Sequence, residues 1–217
     1  MAYKAVLFDL DGTLLDTLAD FGLSANRMLE EADFPVHPLE SYRYFVGAGA
    51  HNLVSRILPE TARNEATIDD CLQKFLKIYD SSWSDNTQPY PGIPEMLDYL
   101  QERNYRLAIL SNKPQDFTEL CVSEFLSDWN FEEVWGKREG FDLKPSPKAA
   151  LKIAGIMGLE SSAYYYLGDT KIDMETATNA GMYSIGVTWG FRPREELLDA
   201  GAKILLDKPM DITTYLK

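Results

Sequence analysis

Apolar residues recur at two different spacings along this chain. Residues 5–8 form a short apolar run without glycine or proline, which is typical of a strand buried on both faces of a parallel sheet. Between residues 17 and 88, apolar residues instead recur every three or four positions, as on helices that bury one face. After residue 89, short apolar runs alternate with helical stretches. The pattern predicts a parallel sheet with helices on both faces, interrupted after its first strand by a helical segment.

The predicted fold is therefore α/β, with a doubly wound, Rossmann-like parallel sheet as the core and an inserted helical cap domain. The core domain is expected to comprise residues 1–16 and 89–217, and the cap domain residues 17–88. Five further strands are predicted at 106–110, 131–135, 164–167, 183–187 and 203–205. Helices are predicted from residue 18 to just before Pro35 and at 39–46, 51–58, 68–83 (N-cap Thr67), 93–103, 117–125, 147–158 (N-cap Ser146), 173–180 and 194–200.

Two carboxylates stand directly after the first strand. Asp9 and Asp11 would point the same way along an extended chain, and Gly12 would let the backbone turn away. Two acids that converge on one spot repel each other unless a cation lies between them or one of them holds a proton. The sequence therefore predicts a chemical site here.

Polar groups follow three other predicted strands. Ser111 and Asn112 come after the second strand, Lys144 after the third, and Asp169 with Asp173 after the fourth. Taken alone, each has a structural alternative, namely a helix cap or a solvated lysine. Because the carboxyl ends of parallel strands share one edge of the sheet, we expect these groups to converge.

The charges of this predicted site indicate a metal ion. Four aspartates and one lysine leave a large negative excess before any anionic substrate binds, which requires a divalent cation. All-oxygen ligands without histidine or cysteine favour Mg2+ over zinc.

Composition narrows the partners. The net charge of −13 and the pI near 4.6 argue against nucleic acid or an anionic membrane as a partner. Cys71 and Cys121 match no disulfide framework, so we expect both to be reduced and buried. No signal peptide and no apolar run of membrane-spanning length is recognisable. We expect a cytoplasmic protein that is a monomer or homodimer.

These motifs resemble those of the haloacid dehalogenase-like hydrolase superfamily. The likeness rests on Asp9-Leu10-Asp11-Gly12-Thr13, Ser111-Asn112-Lys113-Pro114, Lys144-Pro145-Ser146-Pro147 and Gly168-Asp169-Thr170 through Asp173, and it covers the whole chain. Within the superfamily the chain looks most like the phosphoglycolate phosphatase group. Dehalogenase chemistry is disfavoured because that chemistry lacks the second aspartate. One mild departure is Asp142-Leu143 before the lysine motif, where basic or polar residues are often found.

The resemblance implies a phosphatase that works through an aspartyl-phosphate. Asp9 would be the nucleophile, and Asp11 the acid and then the base, so that Asp11 must hold a proton at first. Ser111, the backbone amide of Asn112, and Lys144 would bind the phosphoryl group. Mg2+ would take a carboxylate oxygen of Asp9, the backbone carbonyl of Asp11, and Asp169, with Asp173 orienting Lys144 or a metal-bound water.

Substrate selection is expected to depend on the cap. The loop with Gly47, Ala48, Gly49 and His51 is predicted to reach the site, because glycines let backbone amides approach an anion. A solvated or capping role for His51 is the alternative, and Arg43 and Arg56 could also meet a substrate anion or be ordinary surface arginines. The leading substrate by resemblance is 2-phosphoglycolate, ahead of pyrophosphate, a sugar phosphate or a nucleoside monophosphate.

Two other functional classes stay open. A phosphomutase of the same fold would hand the phosphoryl group to a second hydroxyl, but mutases of this type carry a histidine in the first cap helix, and none is present here. A non-catalytic binding protein is disfavoured because all four motifs hold competent residues.

Overall fold

A six-stranded parallel sheet forms the centre of the molecule. The computed structural model describes residues 4–216. The strands are β1 Ala5–Phe8, β2 Leu15–Asp16, β3 Gln88–Pro89, β4 Arg106–Pro114, β5 Phe131–Lys137, β6 Tyr164–Gly168, β7 Tyr183–Val187 and β8 Ile204–Leu206. In space the main sheet runs β5-β4-β1-β6-β7-β8, and every neighbouring pair is parallel. The strand order reverses direction at β1, which creates a crevice at its carboxyl end.

Helices cover both faces of this sheet. They are α1 Leu18–Glu31, α2 Tyr42–Phe45, α3 Ala50–Ile57, α4 Glu65–Asp80, α5 Ile93–Glu102, α6 Gln115–Phe125, α7 Lys148–Ile156, α8 Lys171–Ala180, α9 Arg194–Asp199 and α10 Ile212–Tyr215. On β1, Val6 and Phe8 pack in one core with residues of α5 and α6. Ala5 and Leu7 pack in the opposite core with residues of α7 and α8. The predicted doubly wound, Rossmann-like α/β fold is confirmed.

The helices α1 to α4 form a unit of their own between β2 and β3. They share a separate apolar core that includes Phe21, Met28, Leu53 and Phe75. β2 pairs with β3 antiparallel, so the chain leaves the core and returns to it at adjacent points. Here the segment from α1 to α4 is called the cap. Its predicted limits, residues 17–88, remain a prediction.

The return of the chain is fixed by a buried acid. Asp20 of α1 is 1% exposed. Its Oδ2 accepts hydrogen bonds from the backbone N–H and the hydroxyl of Thr87, at 2.8 and 2.7 Å. Because a buried carboxylate is costly without such donors, this contact ties the first cap helix to the strand that leads back to the core.

Several predicted helix starts are wrong by a few residues because the capping residue was misidentified. Asn64, not Thr67, caps α4: its Oδ1 accepts the Thr67 N–H at 3.1 Å, and the helix ends at Asp80 rather than near Trp83. Thr170 precedes α8, whose capping box includes Asp173, so this helix begins two residues before the predicted start. α7 begins at Lys148, after Pro147, instead of at Pro147 with a Ser146 cap.

The second strand of the chain's main sheet is also longer than predicted. It was expected to end at Leu110, but β4 continues to Pro114, with an irregularity in its pairing to β5 after Leu110. The strand was expected to end where polar residues begin. Ser111, Asn112 and Lys113 are nevertheless buried, and they have hydrogen-bond partners inside the protein. The predicted helix at 39–46 is likewise interrupted, with a single 3-10 turn at Leu39–Ser41 before α2.

Over residues 4–216, none of the helices combines the length and the apolar character needed to cross a membrane. Cys71 and Cys121 are both free and buried, as predicted.

Candidate active site

The groups that the sequence pointed to lie together at the carboxyl ends of β1, β4 and β6. Asp9 follows β1, Ser111 lies near the end of β4, and Asp169 follows β6. Lys144 comes from the segment between β5 and α7 and reaches the same edge. All four are less than a tenth exposed. Buried polar residues at this position form a site rather than a surface.

Lys144 is clamped between two carboxylates. Its Nζ lies 2.8 Å from Asp9 Oδ1 and 2.7 Å from Asp173 Oδ1. The other oxygen of Asp173 accepts the backbone N–H and the hydroxyl of Thr170, at 3.1 and 2.7 Å. Asp173 is therefore held by the start of α8 and fixes the direction of the lysine. We call Asp9, Lys144, Asp169 and Asp173 the phosphate-side cluster.

Asp169 is fixed from two directions. The Thr13 hydroxyl donates to its Oδ1 at 3.1 Å, and the Phe191 N–H donates to its Oδ2 at 2.8 Å. Gly12 makes this approach feasible, because it has a φ of +84° and a Cβ there would lie 2.3 Å from Asp169 Oδ2. The glycine of the first motif thus lets the fourth motif come close.

Ser111 and Asn112 contact their surroundings in different ways. The Ser111 hydroxyl accepts the Lys113 N–H at 3.2 Å and lines the cavity between core and cap. The Asn112 side chain accepts the Lys144 N–H at 2.8 Å and donates to the Lys144 carbonyl at 3.2 Å and to the Gly47 carbonyl at 3.0 Å. This asparagine therefore joins the lysine loop to the cap, a role that the sequence did not indicate.

Burial raises the pKa of both central acids. The pKa of Asp9 lies well above its usual range because of burial and the neighbouring charge of Asp173, which Lys144 only partly opposes. The same causes raise the pKa of Asp169 to about 7. The cluster is thus short of positive charge. Carboxylate oxygens of Asp9, Asp169 and Asp173 lie within 4.8 Å of one another, so the donor set suits a hard divalent cation such as Mg2+.

Asp11 does not belong to that cluster and pairs with a second lysine. Lys113 Nζ lies 2.9 Å from Asp11 Oδ1, 2.7 Å from the hydroxyl of Tyr79 in α4, and 4.4 Å from the ring centre of Phe21 in α1. Burial lowers the pKa of Lys113, but the charge of Asp11 and the hydrogen bond to the Tyr79 hydroxyl outweigh it, so the pKa is raised. We call Asp11, Lys113 and Tyr79 the cap-side group.

Lys113 was missed by the sequence analysis although it stands inside a quoted motif. The signal was available, because the period of two along an extended chain puts residues 111 and 113 on the same side. When Lys113 is counted, the site contains four aspartates and two lysines, and its net charge is −2. Tyr79 had no such signal, since it stands in a helix 34 positions earlier in the chain.

A small cavity of about 40 Å3 lies between these groups and the cap. Its walls are mainly apolar and come from both sides of the cleft: Phe21, Val46, Leu53, Phe75 and Leu76 of the cap, and Pro114 and Phe117 of the core. Of the predicted specificity loop, Gly47 and Gly49 line this cavity. The Ala48 carbonyl instead accepts from Asn52, and the His51 ring lies 3.1 Å from Glu65 on the cap surface.

Fold and site together define a capped α/β enzyme with an acidic, oxygen-rich centre. The sequence profile of the haloacid dehalogenase-like hydrolase family matches residues 6–187. That is most of the chain, and the chain belongs to this family.

Named relatives indicate which members of the family this chain resembles. Phosphoglycolate phosphatase of Haemophilus influenzae (strain 86-028NP) is 29% identical over 99% of this chain and 98% of its own. Phosphoglycolate phosphatase of Pseudomonas savastanoi pv. phaseolicola is 29% identical over 94% of this chain and 76% of its own. A crystal structure from Lactobacillus delbrueckii subsp. bulgaricus, of a candidate phosphoglycolate phosphatase, superposes with a TM-score of 0.93 at 28% identity, covering 100% and 99% of the two chains. The predicted resemblance and the predicted enzyme class, a phosphoric monoester hydrolase, are confirmed.

Proposed function

We propose that this chain is a Mg2+-dependent phosphatase that hydrolyses a small phosphomonoester through an aspartyl-phosphate on Asp9, with 2-phosphoglycolate as the leading substrate. The observation that carries the proposal is the pair of buried lysines. Lys144 contacts the nucleophile candidate Asp9, and Lys113 contacts the acid candidate Asp11. Each half of a phosphate transfer, the phosphoryl group and the leaving group, thereby has its own cation.

On the phosphate side, Asp9 attacks phosphorus and a new P–O bond forms as the bond to the leaving oxygen breaks. Lys144 neutralises charge on the transferring oxygens, while Ser111 and the backbone N–H of Asn112 hold them. Asp9 and Asp169, together with the backbone carbonyl of Asp11, would hold Mg2+, and Asp173 keeps Lys144 in position. When bound, the metal ion supplies charge neutralisation and orientation of the phosphoryl group.

Asp11 carries the proton. It gives a proton to the leaving alkoxide in the first half-reaction and takes one from water in the second, when that water attacks phosphorus and releases Asp9. Proton and charge balance over the two steps, because Asp11 ends in its starting state. The pairing with Lys113 means that protonation of Asp11 leaves a buried lysine without its counter-charge.

This charge balance supports an anionic leaving group. With Asp11 protonated, Lys113 would be an unpaired cation whose side chain is 1% exposed. An unpaired buried charge is strongly unfavourable, and the carboxylate of 2-phosphoglycolate would supply the missing negative charge. A neutral leaving group of the same size would not. The cavity of about 40 Å3 further supports a leaving group of few atoms.

The positions of the cap histidines argue against a mutase. The cap's two histidines contact cap atoms: His37 Nε2 lies 2.7 Å from the Ile57 carbonyl, and His51 contacts Glu65. The small cavity beside Asp9 and Asp11 is here called the catalytic cavity. Among residues 4–216, neither histidine lines it. Pyrophosphate also has an anionic leaving group and stays in the test panel, together with a sugar phosphate and a nucleoside monophosphate.

The test measures phosphate release with and without Mg2+, first from p-nitrophenyl phosphate and then from the panel. We expect Mg2+-dependent release and the highest kcat/KM for 2-phosphoglycolate. Release without any need for Mg2+, or a mutase-like lack of release, would contradict the reaction class. A higher kcat/KM for another member would overturn the substrate alone.

We also infer a division into a core domain of residues 1–16 and 89–217 and a cap domain of residues 17–88, supported by the separate apolar core of the cap. A cytoplasmic location, a monomeric or homodimeric state, and the lack of nucleic-acid or membrane partners remain predictions.

A further inference from the structure

A second cavity lies at the junction of cap and core and shares none of its lining residues with the catalytic cavity. Its volume is about 360 Å3, several times that of the catalytic cavity. The cap contributes Tyr44 and Arg56, and the core contributes Thr170, Lys171, Ile172, Arg192 and Glu196. We call it the seam cavity.

The seam cavity is positively charged although the protein as a whole carries a net charge of −13. Three cationic side chains and a single carboxylate line it. Arg192 pairs with that carboxylate, its Nε lying 3.3 Å from Glu196 Oε1. Burial, followed by the nearby charge of Arg192, lowers the pKa of Arg56. Two guanidinium groups thus repel each other across a cavity with too little negative charge.

One of these guanidinium groups has an unused donor. Arg192 is 9% exposed, and its Nη2 donates to the carbonyl of Val46 in the cap at 3.2 Å. Its Nη1 is buried and has no hydrogen-bond partner among residues 4–216. A buried cationic donor without a partner is unfavourable, and it adds to the excess of positive charge beside the cavity.

The first turn of α8 adds a further anion-attracting element. Thr170 caps this ten-residue helix, and Thr170, Lys171 and Ile172 all line the cavity. Asp173 already accepts the N–H of Thr170, so the turn offers an anion the next backbone N–H groups, those of Lys171 and Ile172. Arginine forks match the geometry of phosphate oxygens.

We propose that the seam cavity binds a multiply charged, phosphate-bearing small molecule through Arg56, Lys171, Arg192 and the first turn of α8. Arg56 belongs to the cap and Lys171 to the core, so such a ligand bridges the two and stabilises their contact. Because neither Asp9 nor Asp11 lines this cavity, the ligand is an effector and not the substrate. The proposal does not depend on which phosphomonoester the enzyme hydrolyses.

Binding of methylenediphosphonate tests this, since its P–C–P bridge cannot be hydrolysed. Isothermal titration of the full chain without Mg2+ would compare wild type with the double variant Arg56→Gln, Lys171→Gln. The control is Arg27→Gln, which removes an exposed cap arginine that pairs with Glu31 away from the cavity. We expect the double variant to lose seam binding by at least about tenfold in affinity, and the control to bind like wild type. Equal affinity for all three proteins would overturn the proposal.

Hydrogen exchange separates the seam cavity from the catalytic cavity, where the same probe can also bind. In wild type we expect the probe to slow exchange in segments 54–57 and 192–197, which contain none of the residues that line the catalytic cavity, as well as at 111–113. In the double variant, only the catalytic segment should stay protected, while turnover of p-nitrophenyl phosphate reports an intact fold. Wild-type protection confined to the catalytic segment would overturn the proposal without recourse to any variant.

Discussion

The two halves of the catalytic cleft differ in how they balance charge. The phosphate-side cluster has three carboxylates and one ammonium group, so it lacks two positive charges, which one Mg2+ would supply. The cap-side group is neutral, with one carboxylate and one ammonium group. Every charged group of the first cluster belongs to the core, whereas the second includes Tyr79 of the cap. From this difference we expect the core to carry out the reaction and the contact with the cap to select the substrate.

The largest expected effect is on the phosphate side, at Asp9. Replacing it by asparagine removes the nucleophile, because an amide is not a comparable one. We expect Asp9→Asn to lose at least about a thousandfold in kcat, roughly 4 kcal/mol of barrier, while the fold stays intact. Asp142→Asn, which alters an exposed acid paired with Lys148, is the matched control. Retention of more than about a thousandth of wild-type turnover would contradict the covalent mechanism.

Metal removal tests the charge deficit of the same cluster. We expect EDTA to abolish phosphate release, Mg2+ to restore it and Ca2+ to inhibit it. Ca2+ accepts more oxygen ligands at longer distances, so it can draw both oxygens of Asp9 into coordination and prevent their attack. Steady-state turnover with each ion measures this. Full activity with Ca2+ would show that the cluster does not need the compact geometry of Mg2+.

Substitution of Asp11 is expected to separate the two steps of the reaction, phosphorylation of Asp9 and hydrolysis of the aspartyl-phosphate. Asp11→Asn keeps the nucleophile but removes the acid and base, so slow phosphorylation by an activated ester should not be followed by efficient hydrolysis. Intact-mass measurement after incubation with p-nitrophenyl phosphate is expected to show a phosphate adduct. The double variant Asp9→Asn, Asp11→Asn is the control, and it should carry no phosphate adduct. Failure to detect any adduct would count against the role proposed for Asp11.

A moderate effect is expected where the cap loop lines the cavity. Bulky residues at Gly47 and Gly49 should fill space beside the leaving group, and both positions have positive φ values that such residues rarely adopt. We expect kcat/KM for 2-phosphoglycolate to fall by about tenfold, about 1.4 kcal/mol, with a smaller loss for p-nitrophenyl phosphate. Ala48→Val changes a neighbouring residue that does not line the cavity. Equal losses for both substrates would argue against a role in recognition.

The smallest effect is expected at the hydroxyl that joins cap and core. Tyr79→Phe removes the 2.7 Å hydrogen bond to Lys113 but keeps the ring that packs on Phe21. Because Lys113 keeps its ion pair with Asp11, we expect KM to rise by only about threefold, with little change in kcat. Tyr99→Phe removes a comparable hydrogen bond to the Leu216 carbonyl, far from the cleft. If both variants behaved alike, Tyr79 would have only a structural role.

The same division explains what the sequence could predict. Asp9, Ser111, Lys144 and Asp169 follow or end strands, and parallel topology brings strand ends together, so their convergence was predictable. The contact of Lys113 with Tyr79 depends on how the cap docks, which no local periodicity records. His51 of the predicted loop contacts Glu65 on the cap surface, as in its alternative role, because glycine and histidine spacing does not indicate which side of a loop faces the core. Asn64 was overlooked because Thr67 is also a common capping residue, although asparagine is the stronger of the two.

The central claim is that the charge of Lys113 determines which substrate the enzyme prefers, while residues of the core carry out the reaction. The most direct test compares kcat/KM for 2-phosphoglycolate and for ethyl phosphate, a substrate of similar size without the carboxylate, in wild type and in Lys113→Met. We predict that wild type prefers 2-phosphoglycolate by about a hundredfold, about 2.7 kcal/mol, and that the variant loses most of this preference. Comparable values for the two substrates in wild type, or an unchanged ratio in the variant, would contradict the claim.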